Sequence, residues 1–433
     1  MTEAFLQYLW QHGLFCASDL RTTENVPLFV VSPGYLNGDA GADFRQAVVM
    51  IGNMKWVGDV EIHIRSSDWY RHGHHHDDKY KSVILHVVYQ HDCEVERQDG
   101  EFFPVLELAP YISEEMHRHY SSLVSSQALL PCRAYLPQVK PIYVQSMLSS
   151  MLMERLLRKQ QAIVRMLSEC EHNWREVFYR MLSAGFGFKT NTAAFELLAV
   201  SLPFHILAKH SDSELQTRAL LFGQAGFLES PGADDYYNAM KYEYDYLRCK
   251  YRLTPIGSFH WNLLRLRPSN FPCIRLSQLS ALLYRAPDLM NELMENADAS
   301  SWRKMFEVKA DSYWQHHYHF GKKTILRHSV MLGESAVSSL LINAVVPFLF
   351  SYCKFSGEER MMENIMLQLE QIPFEDNRVT RVFVDTPFSQ KSAFDSQALT
   401  ELKSTRCDKR ECLKCTIGEQ IVRKRPDLPQ EQP

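Results

Sequence analysis

The stretch Phe44–Ile64, FRQAVVMIGNMKWVGDVEIHI, constrains the fold more than any other part of the chain. Two β-branched and apolar runs flank Gly52-Asn53, a pair that suits a tight turn, so the segment is expected to close as an antiparallel hairpin. Alternate side chains of a strand share a face. Glu61 and His63 therefore point one way, while Val60, Ile62 and Ile64 point the other way, into a core. Asp43 opens the first run, 18 positions before Glu61, and a hairpin of that length can bring both carboxylates to one edge of the sheet.

The flanking sequence builds a mixed α/β unit around this hairpin. Apolar residues at Phe5, Leu6, Leu9, Trp10 and Leu14 have helical spacing, with Gly13 near the stop. Val26–Gly34 reads as a strand and turn, His74–Ser82 as a polar short helix, and Val83–Tyr89 as a buried strand. Phe102–Pro110 reads as a further strand. From about Ser113 the period becomes helical, over Met151–Leu167, Asn173–Ala184, Thr192–His210, Asp234–Tyr251, Arg275–Tyr284, Glu334–Leu349 and Glu359–Gln371. The expected class is α+β: a mixed α/β core over 1–112, a larger mostly helical region over 113–400, and a cysteine-containing segment with a polar, proline-rich frayed tail over 401–433. No internal repeat is visible.

Two carboxylates fixed close together repel unless a cation lies between them. Oxygen donors suit Mg²⁺ or Mn²⁺, ions that orient water and stabilise phosphoryl transfer. Asp43 and Glu61 are thus candidate catalytic metal ligands, and His63 a candidate proton acceptor or further ligand. The plain alternative makes Asp43 a turn residue and pairs Glu61 with Arg45 or Lys55. Next along the chain, SDWYRHGHHHDDKY offers Asp68 and His72, and then His74, His75 and His76. This is either a transition-metal site or a solvated loop. His86, inside VILHVVY, reads as a core histidine.

Composition narrows the partners. With 47 basic and 51 acidic residues the net charge is −4, so no global field draws nucleic acid, and a basic face has to be local. Arg265, Arg267 and Arg275 are the candidate nucleic-acid-binding residues, with Trp261 and Phe271 as candidate stacking groups; the bland reading is arginine stems lying over a helical core. Tyr313–Lys323 also mixes aromatic and basic groups. No membrane span is expected, the N-terminus lacks the pattern of a signal peptide, and scattered cysteines suit a reducing compartment, so the expected location is cytoplasmic.

The exception to that scatter is CDKRECLKC, which places Cys407, Cys412 and Cys415 as C-x4-C-x2-C. Thiolates at such spacing hold Zn²⁺ or an Fe–S cluster, and a fourth ligand has to come from elsewhere. Cys132 is the first candidate, with Cys16 and Cys353 as others.

An aspartate, a hairpin and then Glu-x-His on the next strand, inside a helix, three-strand, helix, strand order, resembles the PD-(D/E)xK nuclease superfamily over about the first 110 residues. The resemblance implies a restriction-endonuclease-like core and a metal-dependent nuclease acting on DNA or RNA. His63 stands where that superfamily carries lysine, with Lys79 or Lys81 as possible substitutes. Some iron–sulfur nucleases of this kind pin a C-terminal three-cysteine segment back to the N-terminal part of the domain. The strings NGDAGADF, GDVEIHIRSSDWYRHGH, FGFKTNTAAFELLAVSLP and CLKCTIG are similar to an uncharacterised bacterial family, a domain of unknown function common in Bacteroidetes. The rival functions are a non-catalytic binding scaffold on a degenerate nuclease fold and a redox- or metal-sensing protein.

Overall fold

The computed structural model describes residues 1–97, 100–230, 232, 234–325 and 327–423. The expected frayed tail lies outside the described residues from 424 onward. The chain forms two compact units. The first joins Met1–Met147 and Val382–Pro387 with the segment from Leu402 on; the second joins Leu148–Arg381 with Phe388–Glu401. Residues 113–147 and the cysteine segment belong to the same unit as the sheet.

The first unit opens with α1 (Glu3–His12), capped by the Thr2 hydroxyl, which accepts from the Phe5 amide, and closed at Gly13 in the left-handed region. Its sheet contains β1 (Leu28–Ser32), β2 (Tyr35–Leu36), β3 (Phe44–Ile51), β4 (Met54–Arg65), β5 (Val83–Gln90) and β6 (Val105–Glu107), in the spatial order β1-β3-β4-β5-β6, with β2 pairing with β3. β1, β3 and β4 are antiparallel neighbours, whereas β5 and β6 add in parallel. The crossover from β4 to β5 carries α2 (Asp68–Arg71) and two 3-10 turns at His74–His76 and Asp78–Tyr80. Beneath it Trp69 packs with Ala42, Val83, Val88 and Phe103 in a small core. Val60, Glu61, Ile62 and His63 are all buried, so both faces of β4 are covered.

One irregularity sets the site. Along most of the hairpin Ala47 pairs with Gly58 and Val49 with Trp56. Continued unbroken, that register would put Asp43 opposite Ile62, on the face away from Glu61. A bulge between Phe44 and Ala47 shifts the pairing by one residue, so that Phe44 meets Val60 and Asp43 comes opposite Glu61. Gln46 supplies the bulge with φ 56°, and its amide is held by the Asp59 carboxylate at 3.1 Å.

The second unit is helical. Its elements are α4 (Pro141–Glu169, which contains the boundary), α5 (Trp174–Phe186), α6 (Thr192–Ser201), α7 (Phe204–Ala208), α8 (Glu214–Gln224), α9 (Asp235–Tyr251), α10 (Pro272–Arg285), α11 (Leu289–Glu295), α12 (Ala299–Met305), α13 (Glu334–Leu340), α14 (Val346–Ser356) and α15 (Glu359–Gln371), with a small ribbon of β7 (His317–His319) and β8 (Lys322–Lys323). The single helix expected over Thr192–His210 breaks at Pro203, which lacks the amide that would continue it. α8 escapes a periodicity reading because Thr217–Gln224 are buried without interruption, leaving no polar stripe. Between α13 and α14 a π turn over Leu341–Val345 absorbs the missing amide of Pro347. The continuous helix Glu334–Ser356 is long and apolar enough by composition to cross a membrane, which corrects the expectation that no segment is; 72% of its apolar window is buried within the protein. The second unit's last helix is α16 (Ala393–Leu402), whose final residue lies past the boundary, and the last described helix of the first unit is α17 (Thr416–Arg423), which packs on α3 (Glu114–Ser125).

Gly58 marks the closest approach of β4 to β5. A Cβ there would lie 2.6 Å from the Ser82 carbonyl and 2.4 Å from Ile84 Cγ2, whereas one at Gly38 would meet nothing. Gly58→Ala is expected to destabilise the protein by about 1–3 kcal/mol through overpacking, with Gly38→Ala near neutral; equal thermal midpoints for the two variants would contradict this account.

Candidate metal centre

The bulge produces a crossed clamp. The Asp43 amide donates to Glu61 Oε2 at 3.0 Å, and the Ile62 amide donates to Asp43 Oδ2 at 3.0 Å. Asp43 Oδ1 accepts from Gln7 Nε2 of α1 at 2.9 Å. The two acids therefore converge with no basic partner between them. The alternative partners lie elsewhere: Arg45 donates to the Ala40 carbonyl, and Lys55 is exposed near the start of β4. Burial, and then the Glu61 charge, hold the Asp43 carboxyl well above the usual aspartate range.

The other oxygen of Glu61 faces imidazoles. Oε1 lies 3.2 Å from His74 Nε2 and 3.4 Å from His63 Nε2, and His63 Nε2 lies 3.1 Å from His72 Nδ1. Among the described residues, only His63, His72 and His74 bring three ligand atoms within 4.8 Å of one another. Bonds of about 2.1 Å to one ion set neighbouring donors about 3.0 Å apart in an octahedron and about 3.4 Å apart in a tetrahedron. The three separations fall within or close to that interval, so the His63, His72 and His74 trio, with Glu61 Oε1 against His63 and His74, forms a candidate donor quartet for a divalent ion.

Each donor has a local reason to be there. His63 shares the strand face of Glu61. His72 caps the short α2, its amide donating to the Asp68 carbonyl. His74 begins the next turn after Gly73, whose φ of 75° reverses the chain, and stacks on Tyr80 at 3.8 Å. Behind the quartet, His63 Nδ1 lies 2.8 Å from His86 Nε2, an outer contact of the kind that fixes a ligand's tautomer. Burial, reinforced by neighbouring imidazoles, pushes His63 down to about 2 and His86 down to about 3, so both are held neutral, the form that ligates metal. Asp68 is structural: it accepts from the Arg65 amide and pairs with Arg71. His75 and His76 lie against each other with tilted rings, outside the set.

Sequence reasoning passed over three residues. Gln7 and Glu3 come from α1, Glu3 facing the charges of His72, Asp68 and Glu61; burial and the Glu61 charge raise the Tyr80 phenol to about 12. Only a packed helix brings α1 here, and no local spacing signals it. His86 is buried as expected of a core residue, yet it is the partner of His63.

The expected nucleic-acid residues divide. Arg265 and Arg267 are exposed in the loop before α10. Arg275 corrects the expectation: it is buried, donates to Gln278 Oε1 and Asn270 Oδ1, and lies over the Phe188 ring, so its guanidinium is committed inside the second unit. Trp261 is buried too, donating to the Ala225 carbonyl, and Phe271 stacks on Tyr318. Cys132 neighbours the C-terminal trio, whereas Cys16 is exposed and Cys353 is buried in the second unit.

The fold and site define an α+β protein with a histidine-rich candidate metal centre on a mixed sheet. The chain belongs to the family described as "Protein of unknown function (DUF2851)", whose model matches residues 3–378. No curated protein and no solved structure matched it.

Two outcomes follow from the quartet. His72→Ala and His74→Ala are each expected to weaken Mn²⁺ or Zn²⁺ binding by calorimetry at least as much as the roughly 10–100-fold loss expected for the outer variant His86→Gln, with exposed His76→Ala unchanged; equal affinities throughout would remove the site. In chelator, His63 and His86 make folding pH-dependent. Their folded pKa values lie below the unfolded ones, so their stability contribution is present above about pH 6.5 and is lost as pH falls, by up to about 1.4 kcal/mol per pH unit for each imidazole. Asp43 acts in the opposite sense, its contribution being present in acid and lost as the group ionises. Melts of metal-free protein should show the acid limb; a flat midpoint between about pH 7 and pH 5 would contradict it.

Proposed function

We propose that the first unit is a metal-dependent hydrolase cleaving phosphodiester bonds in DNA or RNA. The observation that carries this reading is the donor quartet of Glu61, His63, His72 and His74, with Asp43 clamped beside it. A bound divalent ion would supply a polarised water and charge stabilisation for phosphoryl transfer. Three imidazoles and one carboxylate move the preference from Mg²⁺ toward Mn²⁺, Zn²⁺ or a similar ion. Asp43 exchanges a proton in a range where an ordinary aspartate is already ionised, which suits general acid–base work. The sheet supports the nuclease class: a helix, antiparallel strands, a helical crossover and then a parallel strand follow the order of the PD-(D/E)xK core that the sequence resembles.

A second reading, a non-catalytic metal-binding scaffold on the same core, is favoured by one observation. Both Asp43 oxygens already accept protein hydrogen bonds, and an imidazole stands in place of the lysine.

The test incubates the full-length protein with single- and double-stranded DNA and RNA and, in turn, Mg²⁺, Mn²⁺ and Zn²⁺. Metal-dependent cleavage is expected, lost in Glu61→Gln and slowed about 10²–10⁴-fold in Asp43→Asn. Tight metal binding with no turnover on any substrate would leave the scaffold reading in its place.

A further inference from the structure

The C-terminal thiols form a second centre that the hydrolytic reading does not use. Cys407 and Cys415 are buried and Cys412 is half-buried. The ring of Cys412, Cys415 and Cys407 includes Cys132, and the four act electrostatically on one another. None is in a disulfide. The chain brings them together by defined contacts. Arg410 donates to the carbonyls of Ser126 at 3.1 Å and Ala128 at 3.0 Å, fastening the loop between Cys407 and Cys412 to the segment that leads into Cys132. The Cys415 amide donates to the Cys412 carbonyl at 3.2 Å, closing the C-x2-C turn. Gly418 lets the first turn of α17 ride directly over that turn, since a Cβ there would lie 2.1 Å from the Cys412 carbonyl.

Cations and backbone amides face the sulfurs. The amides of Ile417 and Gly418, at the start of α17, donate to the Cys415 sulfur. Arg406 faces Cys415, Arg410 faces Cys412 and Lys403 faces Cys407. Burial pushes all four thiols up toward the protonated form, so a bound metal is what would draw off their protons.

We propose that Cys132, Cys407, Cys412 and Cys415 ligate an iron–sulfur cluster that ties α17 to the sheet-bearing unit. Spacing separates this from a lone zinc ion. Zn–S bonds of about 2.3 Å draw tetrahedral thiolates to about 3.8 Å from one another. No three of these sulfurs lie within 4.8 Å of one another, a separation reached among the described residues only by the histidines. Thiolates that each bind a different iron of one cluster stand further apart. Each thiol releases its proton as it binds iron.

The test is full-length protein purified without oxygen. Iron and acid-labile sulfide in equal amounts, with a cluster's visible absorption, are expected, and both are lost in Cys412→Ser and Cys415→Ser but retained in Cys16→Ser. Should those variants fail to fold, alkylation of the wild type followed by mass spectrometry decides. Exposed Cys16 and Cys249 react at once, and the four ligands react only after the cluster is destroyed with acid. One bound zinc without iron, no metal, or immediate alkylation of all four would overturn the proposal.

Discussion

The candidate centre depends on a single inserted residue. Without the bulge at Gln46 the hairpin would still form and still bury Val60 and Ile62, but Asp43 would project to the opposite face from Glu61. With it, each acid receives a backbone amide from the other's strand, and the clamp fixes both carboxylates without a basic side chain. Asp59 holds the bulge from outside, accepting from the Gln46 amide and from the Ser82 hydroxyl, so the same residue also ties β4 to the approach of β5.

This clamp leaves an electrostatic imbalance. Glu61 presents Oε1 to His63 and His74, while His63 and His86 are held neutral and Asp43 is pushed toward its neutral form. His86 Nδ1 and the Trp69 indole N–H are buried with no hydrogen-bond partner. Uncharged imidazoles beside an acid, with unmet hydrogen bonds around them, are an arrangement that a divalent ion would complete. The candidate donor set has an imidazole at position 63. A lysine there would place a fixed charge where an imidazole contributes a ligand atom and a hydrogen bond to His86.

Much of this was legible in the sequence because it is local. Strand alternation places Glu61 and His63 together, and Gly52-Asn53 predicts the turn. The bulge was not legible, since an inserted residue leaves the hydrophobic pattern of a strand nearly intact. The histidine run misleads for a related reason: His74 joins the candidate cluster while His75 and His76 do not, and the 3-10 turn that points them apart has no local signal in three identical residues. Arg275 reads as a phosphate-binding group among apolar neighbours, yet those neighbours enclose it, and Gln278 and Asn270 accept from its two terminal nitrogens. Composition cannot distinguish an arginine lying over a core from one sealed within it.

The two centres of the first unit are linked by a continuous set of contacts. Cys415 immediately precedes α17, and Arg423 at the end of that helix donates to the Tyr8 hydroxyl at 2.7 Å and lies over the Tyr8 ring. Tyr8 is on α1, one residue from Gln7, which holds Asp43 Oδ1. α1 has only 10 residues, too short to be stable without tertiary support. Its position over the acids therefore rests on packing, and one of the groups it packs against is a helix whose first turn is fixed by the cysteine loop. This gives the cysteine segment a structural role at the candidate centre although none of its residues touches Glu61, His63, His72 or His74.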